Sequence, residues 1–126
     1  MHVPTRILVV DESSDYRTTL CDVLASEGFE CKAVDSAGDA IAVFHDFGPD
    51  VVLAELELSG ADVLLRVIEQ LRRDRARSVG FVAMSSQASP RARSVADAVV
   101  DKLSEPCEVV RAIRFAMDSA HARVQT

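Results

Sequence analysis

Short apolar runs that end in acid, separated by stretches with helical spacing, constrain this chain more than any other feature. Ile7–Val10 is a continuous apolar run followed by Asp11 and Glu12. A run this short, closed by polar residues, reads as a strand buried on both faces. Tyr16, Leu20, Val23 and Leu24 then recur at helical spacing, and Gly28 offers a left-handed stop. Phe29–Val34 alternates and reads as a second strand. Ser36 caps the next helix, with Asp39 three residues on in a capping-box pattern. Ile41 and Phe44 follow at helical spacing, and Gly48-Pro49 ends it. Asp50–Leu53 is a third strand and leads to Glu55 and Glu57. After a Ser59-Gly60 turn, Ala61–Arg73 is a helix with Leu64, Leu65, Ile68 and Leu71 inward. Val79–Met84 is a fourth strand ending in Ser85-Ser86. Pro90 opens a segment with room for about two helical turns. Ala98–Val100 is a short fifth strand ending near Lys102, and Glu105–Ala120 a last helix carrying Val109, Ile113 and Ala116 on one face.

Strand-helix alternation of this kind predicts an α/β, doubly wound, five-stranded parallel sheet with helices on both faces. In such sheets the functional site lies at the carboxyl ends of the strands. That rule singles out Asp11, Glu12, Glu55, Ser85 and Lys102. The carboxylates of Asp11, Glu12 and Glu55 are expected to converge, at a cost in free energy unless a cation neutralises them. Lys102 is one candidate cation, and Mg²⁺, which takes carboxylate oxygens and keeps several waters, is the other. Ser85 adds a hydroxyl donor. Acids, lysine and hydroxyl together suit phosphoryl chemistry, where charge neutralisation and positioning do most of the work.

Composition narrows the partners. The 126 residues suit one domain over residues 1–126, with 48% hydrophobic and 27% charged residues. A net charge of −6 and 5% aromatic residues argue against a nucleic-acid surface. The three cysteines, Cys21, Cys31 and Cys107, are scattered without CxxC spacing and are read as reduced thiols. No apolar leader and no run near the roughly 18–20 residues of a membrane span is present, so a cytoplasmic setting without membrane contact is expected. Arg72, Arg73, Arg75 and Arg77 read as cations at a helix carboxyl end, where the dipole favours them. Arg91 and Arg93 form a second basic cluster. His2, His45 and His121 have no ligand spacing and are expected at the surface. On the last helix Phe115 lies nearly opposite Ile113. With Met117 and Arg114 it is the candidate interface for a homodimer or protein partner.

Here the sequence resembles a known family. The segment RILVVDES resembles the opening strand of a response-regulator receiver (CheY-like) domain, with Asp11 and Glu12 as its metal-organising acids. GPDVVLAELELSGADVL resembles the phosphoacceptor strand and loop. The resemblance implies that Glu55 takes the place of the phosphoacceptor aspartate and that Glu57 lends its backbone carbonyl to the metal. It aligns Gly60 with the turn glycine and Asp62 with the acid that follows. FVAMSS puts Ser85 at the family's hydroxyl position, and ADAVVDK puts Lys102 at its lysine. The resemblance covers nearly the whole chain and implies a flavodoxin-like sheet of order 2-1-3-4-5.

Four departures from the family pattern fall on its phosphorylation and relay machinery. Glu55 is one methylene longer than aspartate. A shift of about 1 Å can cost about a hundredfold in rate, and the longer arm can instead reach Lys102. Leu103 follows Lys102 where the family usually has a cis-proline, so a trans bond is expected. Val99 stands at the aromatic switch position and has no ring to swing. The fourth helix is short. The expected function is therefore an atypical, or pseudo-, receiver. It is a phosphorylation-independent protein-interaction module of two-component signalling, with Glu55 as a fixed acidic mimic. It requires no cofactor, with Asp11, Glu12 and Glu57 as a weak Mg²⁺ site, and its partner is a histidine kinase or another signalling protein. The alternative is a receiver that accepts a phosphoryl group from a histidine kinase with Mg²⁺. A second alternative, a small flavodoxin-like enzyme or nucleotide binder, lacks a Gly-rich phosphate loop and a Ser-His-acid set.

Overall fold

The computed structural model describes residues 3–74 and 78–125. Five strands, β1 (Arg6–Val10), β2 (Glu30–Val34), β3 (Val51–Glu55), β4 (Gly80–Met84) and β5 (Ala98–Val100), form one parallel sheet of order β2-β1-β3-β4-β5. Between and after them run α1 (Ser14–Ser26), α2 (Ala37–Phe47), α3 (Ala61–Asp74), α4 (Pro90–Val95) and α5 (Pro106–Gln125). The expected doubly wound sheet and its strand order are both found.

The pleat sorts the apolar runs onto two faces. Successive strand residues point to opposite sides, so Ile7, Val9, Val51, Leu53, Val82 and Met84 meet α1 and α5. Leu8, Val10, Val52, Ala54, Phe81 and Ala83 meet α2, α3 and α4. Strands covered on both sides are apolar at every residue, which is why β1, β3 and β4 show no alternation. Edge strand β2 has one open flank and does alternate.

The local stops behave as the sequence predicts. Ser36 accepts a hydrogen bond from the Asp39 amide at 3.1 Å. Gly28 and Gly48 take φ of 92° and 62°, left-handed values that glycine adopts without the Cβ clash. Ser89 caps α4 by accepting from the Ala92 amide, and Pro90 fills the first turn.

α4 is only six residues long, and a buried ion pair lies beside it. Arg72 stands in the last turn of α3, the helix end at which the sequence places it. It is half-buried, paired to Asp97 at 2.9 Å and bonded to the Val79 and Val95 carbonyls. Burial pushes its guanidinium pKa down, with Asp97 opposing. Asp97 also accepts from the Phe81 amide at 2.8 Å and from Arg123 of α5. One buried carboxylate thus ties α3, β4 and α5 together next to the short helix. Arg73 is exposed, while Arg75 and Arg77 lie outside the described residues.

The cysteine expectation is corrected. Cys21 on α1 and Cys31 on β2 form a disulfide across the α1–β2 packing, with Cα atoms 5.7 Å apart. That separation falls in the usual disulfide range. Only Cys107 is free, and it is exposed. Cysteine usage therefore no longer supports a reducing compartment. Among the described residues no helix is long and apolar enough to cross a membrane.

α5 sits hard against β4. A Cβ at Gly80 would come within 2.8 Å of the Ala116 carbonyl oxygen, whereas the nearest atom to one at Gly38 in α2 is 4.0 Å away. Gly80→Ala is therefore expected to lower stability by about 1–3 kcal/mol through overpacking. Gly38→Ala should raise it by about 0.5–1 kcal/mol by removing glycine's entropy cost in a helix. Urea unfolding of the two variants checks both signs.

Candidate functional site

β1, β3, β4 and β5 deliver their next residues to one edge. Asp11 follows β1 on the side of Ile7 and Val9. Glu55, paired with Met84 in the ladder, lies on the same α1/α5 side. Lys102 comes from the loop between β5 and α5. Its Nζ lies 3.0 Å from Asp11 Oδ1 and 3.4 Å from Glu55 Oε1. Asp11 is fully buried. A buried carboxylate without a cation is strongly unfavourable, so Lys102 answers the electrostatic problem of the edge. Burial works against the ammonium charge, but the hydrogen bond and charge of Asp11, then those of Glu55, outweigh it and raise the Lys102 pKa.

The expected convergence of three carboxylates is corrected to two. Glu12 is exposed. Its carbonyl, with that of Asp11, accepts from Arg17, which pins the turn between β1 and α1. Among the described residues no group of three acidic, histidine or cysteine side chains stands close enough to hold a metal ion. The Asp11–Glu55 pair nevertheless has donors of the right chemistry for Mg²⁺. Asp11 Oδ2 and Glu55 Oε2 are buried and have no hydrogen-bond partner, and Mg²⁺ is commonly held by one or two carboxylates plus water.

Ser85 lies on the other side of the pleat, toward α3 and α4, and is 8% exposed. Its hydroxyl donates to Glu57 Oε1 at 3.0 Å and accepts from the Gln87 amide at 3.0 Å. The Glu57 side chain, which sequence reasoning passed over in favour of its carbonyl, is thus the group that meets Ser85. A cavity of about 170 Å³ opens here, lined by Glu57, Asp62, Ser85, Gln87 and Ser89 among others.

Tyr16 is a site residue that sequence reasoning used only as a marker of helical spacing. Its ring centroid is 5.0 Å from Lys102 Nζ, and its hydroxyl reaches Met84 Sδ at 3.5 Å. The available signal was its place on the first turn of α1, just past the acid pair.

The remaining candidates are only partly assembled. Val99 is half-buried against the α2/α3/α4 core. The Lys102–Leu103 bond is trans, and Leu103 is 93% exposed. Phe115 is 58% exposed. Of its two companions, Arg114 is also exposed, whereas Met117 is corrected. Met117 packs into the α1/α5 core, because two residues along a helix turn through about 200°. Arg114 stacks 5.2 Å above the Phe29 ring and pairs with Glu27 at 3.4 Å. His45 and His121 are exposed, and His2 lies outside the described residues.

Residues 7–114 match the response regulator receiver domain family. The chain belongs to that family. It is 44% identical over 61 residues to a protein-glutamate methylesterase/protein-glutamine glutaminase of Anaeromyxobacter dehalogenans, covering 47% of this chain and 18% of that protein. It is 31% identical over 67 residues to the regulatory protein AtoC of Escherichia coli, covering 53% of this chain and 14% of that protein. The matched stretch is thus under a fifth of either relative's length. Among solved structures, the CheY-like receiver domain protein of Methanospirillum hungatei superposes with a TM-score of 0.81 at 21% identity, covering 95% of this chain and 98% of that one. The receiver domain of Methylobacillus flagellatus gives 0.71 at 23%, covering 88% and 99%. The domain is therefore a receiver of two-component signalling. Receiver domains are in general non-enzymatic signalling modules that interact with other signalling proteins.

Tyr16, the chain's one tyrosine, reports on this edge. Burial and then Asp11 raise its pKa above 10.0, while Lys102 lowers it. Phenolate absorbance should therefore titrate above pH 10.0, and Lys102→Met should move the midpoint further up. Both Tyr16 and Lys102 hold their protons more tightly folded than unfolded. Their contribution to stability is complete below the unfolded values and is lost as pH rises through the folded ones. Urea unfolding should show stability falling above about pH 10. A flat profile there, or a Tyr16 midpoint at the ordinary value, would contradict the assembled edge.

Proposed function

We propose that this receiver acts as a phosphorylation-independent interaction module, with Glu55 standing permanently where a transient phosphoryl group would place its charge. The observation that carries the reading is the Lys102 ammonium held between Asp11 and Glu55. In the family, the lysine at this position meets the phosphoryl group. Here a carboxylate arm one methylene longer than aspartate already reaches it. Val99, with no ring, and Leu103, without the cis-proline geometry, support the same reading, because the usual relay from hydroxyl to aromatic side chain has no aromatic member.

The second reading, a receiver that accepts a phosphoryl group with Mg²⁺, draws support from the partnerless Asp11 Oδ2 and Glu55 Oε2. In either reading Asp11 and Glu55 are the residues that would hold the ion, weakly, with the Glu57 carbonyl and Glu12 as secondary candidates. When bound, the ion supplies neutralisation of anionic charge. The chain's own groups do the rest. Lys102 fixes the Glu55 arm, Asp11 fixes Lys102, and Tyr16 covers the ammonium. The partner we propose is a histidine kinase or another signalling protein in the cytoplasm. Self-association through Phe115, with the exposed Arg114 beside it, belongs to the same proposal, while Met117 packs inward. We assign no enzymatic activity.

Intact mass after incubation with Mg²⁺ and acetyl phosphate tests the main reading. The wild-type chain should stay unmodified, and Glu55→Asp should gain a phosphoryl group in part. A stoichiometric adduct on the wild type that disappears in Glu55→Ala would overturn the proposal in favour of the second reading. For self-association, Phe115→Ala should shift size-exclusion elution toward the smaller species. Identical elution of both proteins across a concentration series would remove Phe115 from the interface.

A further inference from the structure

Glu57 and Ser85 lie across the pleat from the Lys102 cluster. A phosphoryl group in a receiver has more than one oxygen to satisfy, and this edge offers two donors for them: the Lys102 ammonium and the Ser85 hydroxyl. Both donors are already engaged, and each by a carboxylate from the same short stretch. Glu55 Oε1 takes Lys102 at 3.4 Å, and Glu57 Oε1 takes Ser85 at 3.0 Å.

We infer that Glu57 is the second half of the internal mimic, an inference that rests on the proposed role of Glu55. The two contacts that one phosphoryl group would make are divided between two glutamates two residues apart. Glu55 alone leaves Ser85 without an anionic acceptor, because its arm is spent on Lys102 on the opposite side of the pleat. Glu57 supplies that acceptor. Its carboxylate comes from the loop after β3 and reaches the nearly buried hydroxyl across the mouth of the cavity between α3 and α4.

The effect passes into the segment before α4. Ser85 Oγ accepts from the Gln87 amide at 3.0 Å. A hydroxyl whose proton is committed to Glu57 presents a fixed lone pair to that amide. The turn leading to Ser89 and the short helix is thereby held in one arrangement. Glu57 also bars an external oxyanion from Ser85, by occupying the donor and by like-charge repulsion. Shortening Glu55 alone therefore does not reopen the full site.

Binding of beryllofluoride with Mg²⁺, followed by fluorine NMR, separates the two glutamates. The proteins compared are the wild type, Glu55→Asp, Glu57→Ala and the double variant. Glu57 is exposed, so its truncation should not unfold the domain, and circular dichroism verifies this. The double variant should bind at least about tenfold more tightly than Glu55→Asp, the scale of one recovered hydrogen bond to an anion. Equal affinity of these two proteins, or no binding by either, overturns the role of Glu57. Tight binding by the wild type overturns the reading of Glu55 instead, so the two failures are distinct. A ligand-free arm uses the amide NMR signal of Gln87. It should move in Glu57→Ala and stay near its wild-type position in Glu57→Gln, which keeps an acceptor oxygen for Ser85. A Gln87 signal unmoved by Glu57→Ala also overturns the inference.

Discussion

The ammonium of Lys102 between Asp11 and Glu55 is the interaction on which the carboxyl edge of the sheet depends. Asp11 has no exposed surface, and desolvating its charge without a counterion would cost several kcal/mol. That requirement fixes where the loop between β5 and α5 must run. It also fixes Tyr16, whose ring lies over the cation on the third side. The apolar runs of β1 and β3 aim two carboxylates at one point, and the lysine makes that arrangement tolerable. Removing Lys102 would therefore leave a worse structure than one that never held the acids, since breaking a buried pair strands the remaining charge.

The pleat then divides the edge. Asp11 and Glu55 fall on the face of α1 and α5, whereas Ser85 falls on the face of α3 and α4. A ligand with several oxygens can span both faces at once, but one side chain cannot. That division is the geometric basis of the role proposed for Glu57. The α3/α4 face also carries the short fourth helix, and six residues cover little of the sheet. Asp97 offsets this by extending the β4 ladder to the Phe81 amide and joining Arg72 and Arg123. The result is an ion-paired clamp at the start of β5.

Periodicity made most of the fold legible. β5 was read at its observed bounds, β1, β2 and β4 within a residue of theirs, and the turns at Gly28, Gly48 and Gly60 follow from glycine's freedom at positive φ. What escaped were contacts set by side-chain direction. Adjacent residues leaving a strand point to opposite sides, so Asp11 went in and Glu12 went out. Residues two apart on a helix face nearly opposite ways, so Met117 could not accompany Phe115. Cys21 and Cys31 are ten residues apart and show no motif spacing. Only the packing of α1 on an edge strand brings them together. Arg72 reads as one of four similar cations until the fold sets Asp97 beside it.

If Glu55 and Glu57 act as proposed, a fixed anion in the pocket changes what the domain can signal. A two-state element responds only to a ligand that distinguishes its states and is sometimes absent. Glu55 and Glu57 are always present. In the proposed reading they set the position of the equilibrium once and do not report whether a kinase has been active. Information must then enter from outside the pocket, through the abundance of the protein or the binding of a partner that prefers the held state. The missing aromatic ring at Val99 fits that logic, since a relay out of the pocket has no use when the pocket does not change. The exposed Phe115 fits the proposed reading too, because a module held in one state would act through the surface that it always presents.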